Sequence, residues 1–352
     1  MMYPLTEAQP FPRRQWWMVA YSSEIGREAL GKTILDERVV LYRKENGEAV
    51  AVSGICPHRM YPLEHGCLIG DSIQCGYHGI TYSPNGQCVS VPSQSGAAPV
   101  ALRSYPVVER GGTIWMWTGE PELADSALMP DLAAIGLDAP GWVAEQTRYI
   151  HLPARFTLLI DNLLDLTHIS FVHADTIPAA DAVASIPAEA VSGEKTFNLR
   201  RIARHIPSNP LLKMFFPDYD GAVDEDFDAE YFGPCLVRTG GGFYATGTGR
   251  SLGSMNFVHL MTPETAHSTH YHVIISRNFR TDDSVIAKWC FNSSNEIGPQ
   301  DQAALTRIEQ MLQSGLALPQ EVSVRADVGS IQVRKRLSAQ IRSESTAIDA
   351  VA

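Results

Sequence analysis

The stretch Cys56–His78 reads CPHRMYPLEHGCLIGDSIQCGYH, and its two ends carry the residues that decide how this part of the chain folds. The motifs Cys56-x-His58 and Cys75-x-x-His78 are separated by sixteen residues, and each holds one thiol and one imidazole. Both groups bind transition metals, and two Cys with two His could hold a tetrahedral zinc ion. The spacing therefore predicts that two loops meet around a metal centre.

The distribution of the four ligands favours an iron-sulfur cluster over zinc. Zinc fingers place two Cys in one arm and two His in the other, whereas here each arm holds one of each. A two-iron, two-sulfur cluster with Cys on one iron and His on the other needs one residue of each kind from each loop. Residues that would let the backbone approach such a cluster are Gly54, Pro57, Gly66, Gly70, Gly76 and Gly79. We therefore expect Cys56, His58, Cys75 and His78 to hold a [2Fe-2S] cluster.

The chain around this stretch has the pattern of a small antiparallel β domain. It runs in short β-like segments punctuated by Gly, Pro and Asn, among them 38–42, 49–52, 73–75 and 113–117. Asn46-Gly47 and Asn85-Gly86 each lie between apolar runs, and Asn-Gly is a strong hairpin signal because both turn residues must accept positive φ. We place this domain at residues 1–120.

The rest of the chain predicts a second domain of the α+β class. Residues 121–140 are rich in Pro, Asp, Ala and Gly with little periodicity, which is typical of a linker. Residues 141–345 mix a helical stretch at about 158–172, strand-like segments such as 268–276 and a late helix at about 302–313. The tail, 346–352, is expected to fray. A chain of 352 residues is long enough for two such domains.

A second set of candidate ligands punctuates the apolar stretch 161–173, which reads DNLLDLTHISFVH. Asp165 and His168 are three apart and share a helix face, while His168 and His173 would diverge by about 140° on a regular helix. The helix must end or distort between the two imidazoles if both face one ion. A carboxylate from elsewhere would then complete the facial triad that is typical of non-haem iron(II) oxygenases.

With both ligand sets in place, the chain resembles the Rieske non-haem iron oxygenases. The segment 56–82 is similar to the Rieske domain of aromatic-ring oxygenases rather than to that of respiratory complexes. Respiratory Rieske proteins carry an extra Cys in each loop and form a disulfide, and Tyr61 and Tyr77 stand at those places here. Ile80 replaces a Ser whose hydroxyl raises the potential. We expect a potential toward the lower end of the roughly −150 to +300 mV that Rieske centres span.

The resemblance is strongest to the vanillate O-demethylase and dicamba monooxygenase group. The motif of this group is matched position by position by Asn162, Asp165, His168 and His173. It implies that the metal ligands are His168, His173 and an Asp just before the late helix. Asp301 is the position that matches, with Asp282 and Asp283 as rivals. The alternative for Asp301 is a helix N-cap that accepts backbone N–H bonds.

The resemblance also implies a fold and a reaction. The catalytic domain would have a central antiparallel sheet of the helix-grip, START-like kind. The protein would be the terminal oxygenase of a monooxygenase system, supplied with NAD(P)H electrons by a flavin and iron-sulfur reductase, with or without a ferredoxin. It would use O2 to hydroxylate a methyl group and release formaldehyde from a methoxylated aromatic such as a vanillate-like acid.

An assembly and a substrate region follow from the same resemblance. In a cyclic homotrimer, His78 of one chain would meet Asp165 of the next, and Asp165 with Asn162 would serve the catalytic iron. His259 lies in a stretch where this group places substrate-facing residues, although a hydrogen-bonded core histidine is an equally good interpretation.

Three other functions use some of these features. An N-demethylase or a ring- or aliphatic-hydroxylating oxygenase would use the same two metal sites with another pocket. An electron-transfer Rieske protein would leave His168, His173 and Asp301 without a role. A structural zinc module joined to a binding domain would contain no labile sulfide.

Composition excludes several partners. The formal net charge of −11 argues against a nucleic-acid surface, which needs clustered Lys and Arg. The sequence has no apolar run of about 18 residues and no signal-peptide core at its start, so we expect no membrane association. Six cysteines are too few for a disulfide scaffold. These features predict a cytoplasmic protein.

Overall fold

The chain folds into two compact units in the computed structural model, which describes residues 11–177, 183–193 and 195–349. The smaller unit consists of Arg13–Met129 together with the short segment Thr262–Ala266, and the larger one contains Pro130–Met261 and the chain from His267 onward. Nothing in the sequence indicated that 262–266 would belong to the smaller unit. There, Leu35 N donates a hydrogen bond to Pro263 O, and Thr262 Oγ1 donates to Met18 O.

The smaller unit is built of short antiparallel strands arranged in several small sheets. The three-stranded sheet has the order β1-β13-β12, the two four-stranded sheets have the orders β10-β9-β8-β7 and β11-β4-β3-β2, and β5 pairs with β6. The strands are β1 Trp16–Tyr21, β2 Leu30–Ile34, β3 Glu37–Arg43, β4 Ala49–Ser53, β5 Ile55–Cys56, β6 Tyr61–Pro62, β7 Cys67–Ile69, β8 Ser72–Gln74, β9 Thr81–Tyr82, β10 Cys88–Ser90, β11 Ser104–Tyr105, β12 Val107–Arg110 and β13 Thr113–Trp117.

Both predicted hairpins are present, with a difference in the turns. The Asn46-Gly47 turn joins β3 to β4, and Asn85-Gly86 joins β9 to β10. Gly47 has φ 89° and Gly86 has φ 84°, whereas neither Asn adopts positive φ. Only the second turn residue therefore needs the left-handed region. A Cβ on Gly86 would lie 2.1 Å from Leu102 O, which adds a second reason for glycine there.

The larger unit has a nine-stranded antiparallel sheet and five helices among its described residues. Its main path runs β14-β22-β21-β20-β19-β16-β15, while β18 pairs with both β20 and β17. The strands are β14 Val143–Leu152, β15 Glu189–Ser192, β16 Phe197–Arg200, β17 Ile202–Ile206, β18 Val223–Asp226, β19 Asp228–Gly233, β20 Leu236–Ala245, β21 Arg250–Thr265 and β22 Ser268–Arg277. The helices are α1 Phe156–Leu164, α2 Ile169–Val172, α3 Pro210–Phe215, α4 Ser284–Leu312 and α5 Val328–Asp349. The α+β class with small β sheets followed by a large antiparallel sheet is confirmed.

Helix α1 positions the site because it is buried on most of its sides. Seven of its nine residues are buried, including Phe156, Leu159 and Leu163, so the helix packs between the sheet and the other helices. Two polar residues, Asp161 and Asn162, interrupt this apolar surface. Buried polar groups need partners. Both find them on other helices, which orients α1 in the core.

The late helix is longer than the sequence pattern predicted. We expected it to begin near residue 302, but α4 starts at Ser284 and contains Pro299 in its interior. Asp283 is its N-cap, since its carboxylate accepts the N–H groups of Val285 and Ile286. Pro299 and the nearby Gly298 made the earlier part of this helix look like a loop, because both residues disfavour helix interiors. Tertiary packing against β14 overrides that local preference.

No helix in the described part of the chain combines the length and apolar character that crossing a bilayer requires.

Candidate metal centres

In the smaller unit, the structure brings the four predicted cluster ligands together. Cys56 ends β5 and Cys75 follows β8, and both are buried, with 1% and 2% of their surface exposed. Their side chains are in hydrogen-bond contact. The exposed rings of His58 and His78 have centroids 4.6 Å apart. Two buried thiols beneath two exposed imidazoles fit a cluster with one sulfur-ligated and one nitrogen-ligated iron.

The surroundings of Cys75 act on its thiol in opposite directions. Burial raises the pKa of Cys75 and outweighs the hydrogen bonds from the backbone N–H groups of Tyr77 and His78, which lower it, so the net shift is upward. The hydroxyl of Tyr82 lies 3.3 Å from Sγ of Cys56, and burial raises the pKa of Tyr82, which keeps the phenol protonated as a donor. Sequence reasoning missed Tyr82, because no spacing rule connects it to Cys56. All six cysteines are free thiols.

In the larger unit, a break in the helix aims the two histidines at one point. Helix α1 ends at Leu164, Asp165 leaves helical geometry with φ −113° and ψ 85°, and a 3₁₀ turn at Leu166–His168 leads into α2. His173 follows α2 as its C-cap. The sequence predicted an end or distortion between the histidines, and the main break lies earlier, at Asp165.

Hydrogen bonds fix the orientation of both imidazoles. Nδ1 of His168 lies 2.6 Å from Asp165 O, and Nδ1 of His173 lies 2.7 Å from Oε1 of Gln300 on α4. Both acceptors are oxygens, so each Nδ1 carries a proton, and each Nε2 would present its lone pair to a metal once its own proton is displaced. Such a second hydrogen bond is usual for a histidine that binds a metal. Gln300 is another residue that sequence reasoning missed, although it directly precedes Asp301.

Asp301 completes the group from the middle of α4. Its Oδ1 lies 3.5 Å from Nε2 of His168 and 3.1 Å from Nε2 of His173. One ligand atom from each of the three residues lies within 4.8 Å of the others, and no other such group of three occurs in residues 11–177, 183–193 and 195–349. Asp282 and Asp283 are therefore outside it. Asp283 performs the capping role that was the alternative for Asp301.

The electrostatics of the triad suit a cation. Asp301 is 8% exposed, and its burial raises its pKa, but the hydrogen bond from His173 and the charge of His168 outweigh this, so the net shift is downward. Burial lowers the pKa of His168. For His173 burial also opposes the charged form, yet Asp301 and Gln300 raise its pKa overall. A carboxylate that stays ionised beside two imidazoles fits a facial metal triad.

Asn162 and Asp165 surround the triad without belonging to it. The amide Nδ2 of Asn162 donates to Oδ1 of Asp301 at 3.1 Å. Oδ1 of Asp165 accepts hydrogen bonds from the backbone N–H and the hydroxyl of Thr167, at 3.0 and 2.7 Å. A cavity of about 230 Å³ opens beside Asn162, Asp165 and His168.

The far side of this cavity is formed by α5 and the segment before it. Arg334 on α5 donates to Oδ2 of Asp161 at 2.6 Å and to both oxygens of Glu321. Burial raises the pKa of Asp161 to about 6 despite this contact. The ion pair joins α5 to α1 one residue before Asn162, so the position of Asn162 depends on it.

His259 lies on β21 and outside the triad. Burial lowers its pKa to about 4, and Asp301 and His168 are the charged groups that act on it most. Both of its ring nitrogens have hydrogen-bond partners within the chain, Tyr271 and Thr239. Its role as a substrate residue stays a prediction.

Comparison with known proteins covers both units. Residues 15–106 match the family model of the Rieske [2Fe-2S] domain, and residues 152–343 match that of the vanillate O-demethylase oxygenase C-terminal domain. The chain is 32% identical over 346 residues to the toluene-4-sulfonate monooxygenase system iron-sulfur subunit of Comamonas testosteroni, covering 95% of this chain and 98% of the relative. It is 34% identical over 309 residues to the dicamba O-demethylase oxygenase component of Stenotrophomonas maltophilia, with coverage of 85% and 88%.

A solved structure has the same architecture. The crystal structure of dicamba monooxygenase with non-heme iron and dicamba superposes with a TM-score of 0.80 at 28% sequence identity, and the match covers 95% of this chain and 98% of that one.

Proposed function

Because the chain belongs to the Rieske oxygenases with a vanillate O-demethylase type C-terminal domain, we propose that it oxidatively O-demethylates a methoxylated aromatic compound. It is the oxygenase component of a non-haem iron monooxygenase, and its cofactors are a [2Fe-2S] cluster and a mononuclear iron. The observation that carries the proposal is the His168, His173 and Asp301 triad in the same chain as the cluster ligands. An electron-transfer protein would have no use for that triad.

The donor atoms indicate which residues would bind each iron. Cys56 and Cys75 would hold one iron of the cluster, and His58 and His78 the other. His168, His173 and Asp301 would hold the mononuclear iron. Iron held by a facial triad keeps positions open for oxygen, and so supplies the oxygen-activating chemistry. The chain's own residues orient these ligands: Asn162 and Gln300 hold Asp301 and His173 through the hydrogen bonds described above.

The overall reaction balances with one O2, two electrons and two protons. One oxygen atom enters a C–H bond of the methyl group, and the resulting hemiacetal releases formaldehyde while the ring keeps its oxygen as a hydroxyl. The second oxygen atom leaves as water. The names of the relatives, which are components of multi-component systems, support a separate reductase as the electron source. We propose that this reductase carries a flavin and an iron-sulfur centre. A ferredoxin could stand between the two proteins.

For the assembly, we propose a cyclic homotrimer in which His78 of one subunit meets Asp165 of the next. The cavity beside Asp165 and His168 supports this, because it gives a neighbouring imidazole access to the Asp165 carboxylate. Asp165 would carry electrons by linking the partner's cluster to His168, to which its own carbonyl is hydrogen-bonded. A cytoplasmic location stays a prediction.

The substrate proposal rests on the relatives. The vanillate and dicamba enzymes are named as O-demethylases, and their names support a methoxylated aromatic acid here. We place His259 in the substrate region because Asp301 and His168 are the charges that act on it. The toluene-4-sulfonate relative supports the second candidate, hydroxylation of a methyl group on a ring carbon, which would release no formaldehyde.

The first test measures iron and acid-labile sulfide per chain, with the paramagnetic resonance spectrum of the dithionite-reduced protein. Wild type should contain three irons and two sulfides, as a [2Fe-2S] cluster plus one iron requires. His168→Ala and Asp301→Ala should each lose one iron and keep the Rieske signal. Asp283→Ala, which removes a helix cap on the same element, should keep all three irons and lose about 1 kcal/mol of stability.

The second test screens methoxylated and methyl-substituted aromatics for formaldehyde release with a reductase and NADH. Formaldehyde in a one-to-one ratio with the phenolic product supports O-demethylation. A hydroxymethyl product without formaldehyde would contradict O-demethylation and show that the enzyme hydroxylates a methyl group on a ring carbon. If wild type and His168→Ala both contain two irons per chain, the mononuclear site is absent and the protein is instead an electron carrier.

A further inference from the structure

Helix α4 contains a proline two residues before Asp301, the proposed iron ligand. Pro299 has no backbone N–H, so the carbonyl of Asn295, four residues earlier, lacks the hydrogen bond that a regular helix would give it. The proline ring also crowds that carbonyl. The turn of α4 that leads into Gln300 and Asp301 is therefore one backbone hydrogen bond short.

A side chain from the sheet supplies a replacement. Nη1 of Arg148 on β14 donates to Asn295 O at 3.2 Å and to Ser294 O at 2.9 Å. One amino nitrogen of a guanidinium carries two hydrogens, so it can serve both carbonyls. Arg148 thus takes the place of the N–H group that Pro299 lacks.

Gly298 leaves the space that this guanidinium needs. A Cβ at position 298 would lie 2.5 Å from Nη1 and 2.8 Å from Cζ of Arg148. Glycine and proline are both unfavourable in a helix interior. At this place, however, the glycine admits the guanidinium and Pro299 frees a carbonyl for it to bind. The two residues that weaken the helix locally are therefore matched to one arginine.

An irregularity in β14 directs Arg148 toward this turn. The pairing of β14 with β22 shifts in register between Gln146 and Arg148. On a regular strand, Thr147 and Arg148 would point to opposite faces of the sheet. Both nevertheless reach Ser294, since Oγ1 of Thr147 lies 3.1 Å from its Oγ. A bulge that redirects a side chain accounts for this arrangement.

The turn that Arg148 supports leads directly into the mononuclear site. Gln300 accepts a hydrogen bond from Nδ1 of His173, and Oδ1 of Asp301 lies 3.1 Å from Nε2 of the same ring. Burial lowers the pKa of Arg148, whereas the ionised forms of Tyr271 and Asp301 raise it. The guanidinium therefore also lies within electrostatic range of Asp301. Fraying of the turn would displace Gln300 and Asp301 relative to His173.

Resting on the proposed iron site, we propose that Arg148 is a positioning residue for Asp301. Its guanidinium supplies the hydrogen bond that Pro299 removes from α4, and it thereby fixes the turn from which Asp301 projects. Three separate features of the chain converge on this contact: the register shift in β14, the glycine at 298 and the proline at 299.

The first test is retention of the mononuclear iron against a chelator, measured well below the melting temperature. Arg148→Met removes the donors and should weaken iron binding about tenfold, with the reduced Rieske signal unchanged. In the Pro299→Ala background, residue 299 regains an N–H for Asn295 O, so the same change should weaken binding by less than about threefold. Thr147→Val is the matched control, because it removes only the contact with the Ser294 hydroxyl on this turn, and it should retain iron within about twofold.

The second test is hydrogen exchange of the metal-free protein, which reports on the helix without iron. Arg148→Met should speed exchange of the amides of residues 300–303 about five- to tenfold and leave those of α5 unchanged. Gly298→Ala should also speed it, because the added Cβ displaces the guanidinium from the two carbonyls. Helix propensity alone predicts the opposite, since alanine is the better helix former.

Three results would overturn the proposal. The first is equal iron retention in wild type and Arg148→Met. The second is an undiminished loss in the Pro299→Ala background, which would show that Arg148 does not act by replacing the missing N–H. The third is slower exchange of residues 300–303 in Gly298→Ala. Failure of the proposed iron site is distinguishable, because wild type would then contain only two irons while the exchange rates still test the contact between Arg148 and α4.

Discussion

The amide of Asn162 and the carboxylate of Asp301 are hydrogen-bonded at 3.1 Å across the gap between α1 and α4. The same oxygen, Oδ1, lies 3.1 Å from Nε2 of His173. One oxygen of the carboxylate is therefore held by two groups, and its rotation about the Cβ–Cγ bond is restricted. The arrangement resembles the outer hydrogen bonds that fix ligand orientation in metal sites generally.

Asn162→Leu should lower the affinity for the mononuclear iron about 10- to 100-fold, because Asp301 loses the hydrogen bond that orients it. Iron retention against a chelator measures this. Asn295→Leu is the matched control, since Asn295 is an exposed amide on α4 whose side chain donates to Phe291 O. Equal iron retention in both variants would show that the Asn162 amide is not needed.

Gln300→Leu should weaken iron binding to a similar degree through a different ligand. The change removes the acceptor for Nδ1 of His173, so the ring can rotate or take the other tautomer. Gln302→Leu is the comparison, because Gln302 lies on the same helix and bonds to His151 O instead. Gln300→Glu keeps an acceptor at the same place and should retain iron; loss of iron there would contradict this account.

Tyr82→Phe should lower the reduction potential of the cluster by about 40 mV, the equivalent of roughly 1 kcal/mol for one electron. The hydroxyl at 3.3 Å from Cys56 Sγ would stabilise a bound cluster in its reduced state, whose sulfurs carry more negative charge. Protein-film voltammetry gives the value. Tyr42→Phe, which removes a hydroxyl bonded to Asp71 O, should leave the potential within a few millivolts. A potential shift of the same size in Tyr42→Phe would show that the effect does not come from the hydrogen bond between Tyr82 and Cys56.

Glu309→Gln should destabilise the larger unit by about 3 kcal/mol at neutral pH, as the depressed pKa implies. Glu309 is buried, and hydrogen bonds from Arg155 and His267 outweigh its burial and hold its pKa near 2. Its carboxylate stabilises the fold fully above pH 4.5, and this contribution is lost as the pH falls from 4.5 toward 2.

Thermal unfolding of wild type and Glu309→Gln across that range tests the sign. The difference between their melting temperatures should be largest above pH 4.5 and should shrink as the pH falls. Glu296→Gln, at an exposed position of the same helix, should melt with wild type at every pH. A difference that grows toward low pH would contradict the assignment.

Short-range signals predicted the elements whose partners lie close in sequence. The Asn-Gly turns gave the hairpins, and the spacing of Cys56, His58, Cys75 and His78 identified one site, because each arm presents its ligands within a few residues. Asp301 was identified by resemblance alone. Asp301 lies in the middle of a helix that contains Pro299, whereas the local sequence predicts a loop at Pro299 and a helix that begins after it. This part of the helix depends on packing against strands that are distant in sequence.

The residues that support the ligands could not be predicted at all. Tyr82 and Gln300 carry no motif, and each acts only because the fold brings it to within 3.3 Å of a cysteine or a histidine that would bind metal. The sequence contains many other tyrosines and glutamines. Only the hydrogen-bond geometry distinguishes these two from the others.

His173 and Asp301 are 128 positions apart in the chain. An ion that both residues bind therefore closes a long loop, and a cross-link of that length removes much of the freedom of the unfolded chain, worth on the order of 4 to 5 kcal/mol in the simplest treatment. Iron binding at the mononuclear site would thus stabilise the folded catalytic unit against unfolding. Iron-starved protein should then be degraded faster in the cell than its loaded counterpart, so abundance as well as activity would follow the iron supply.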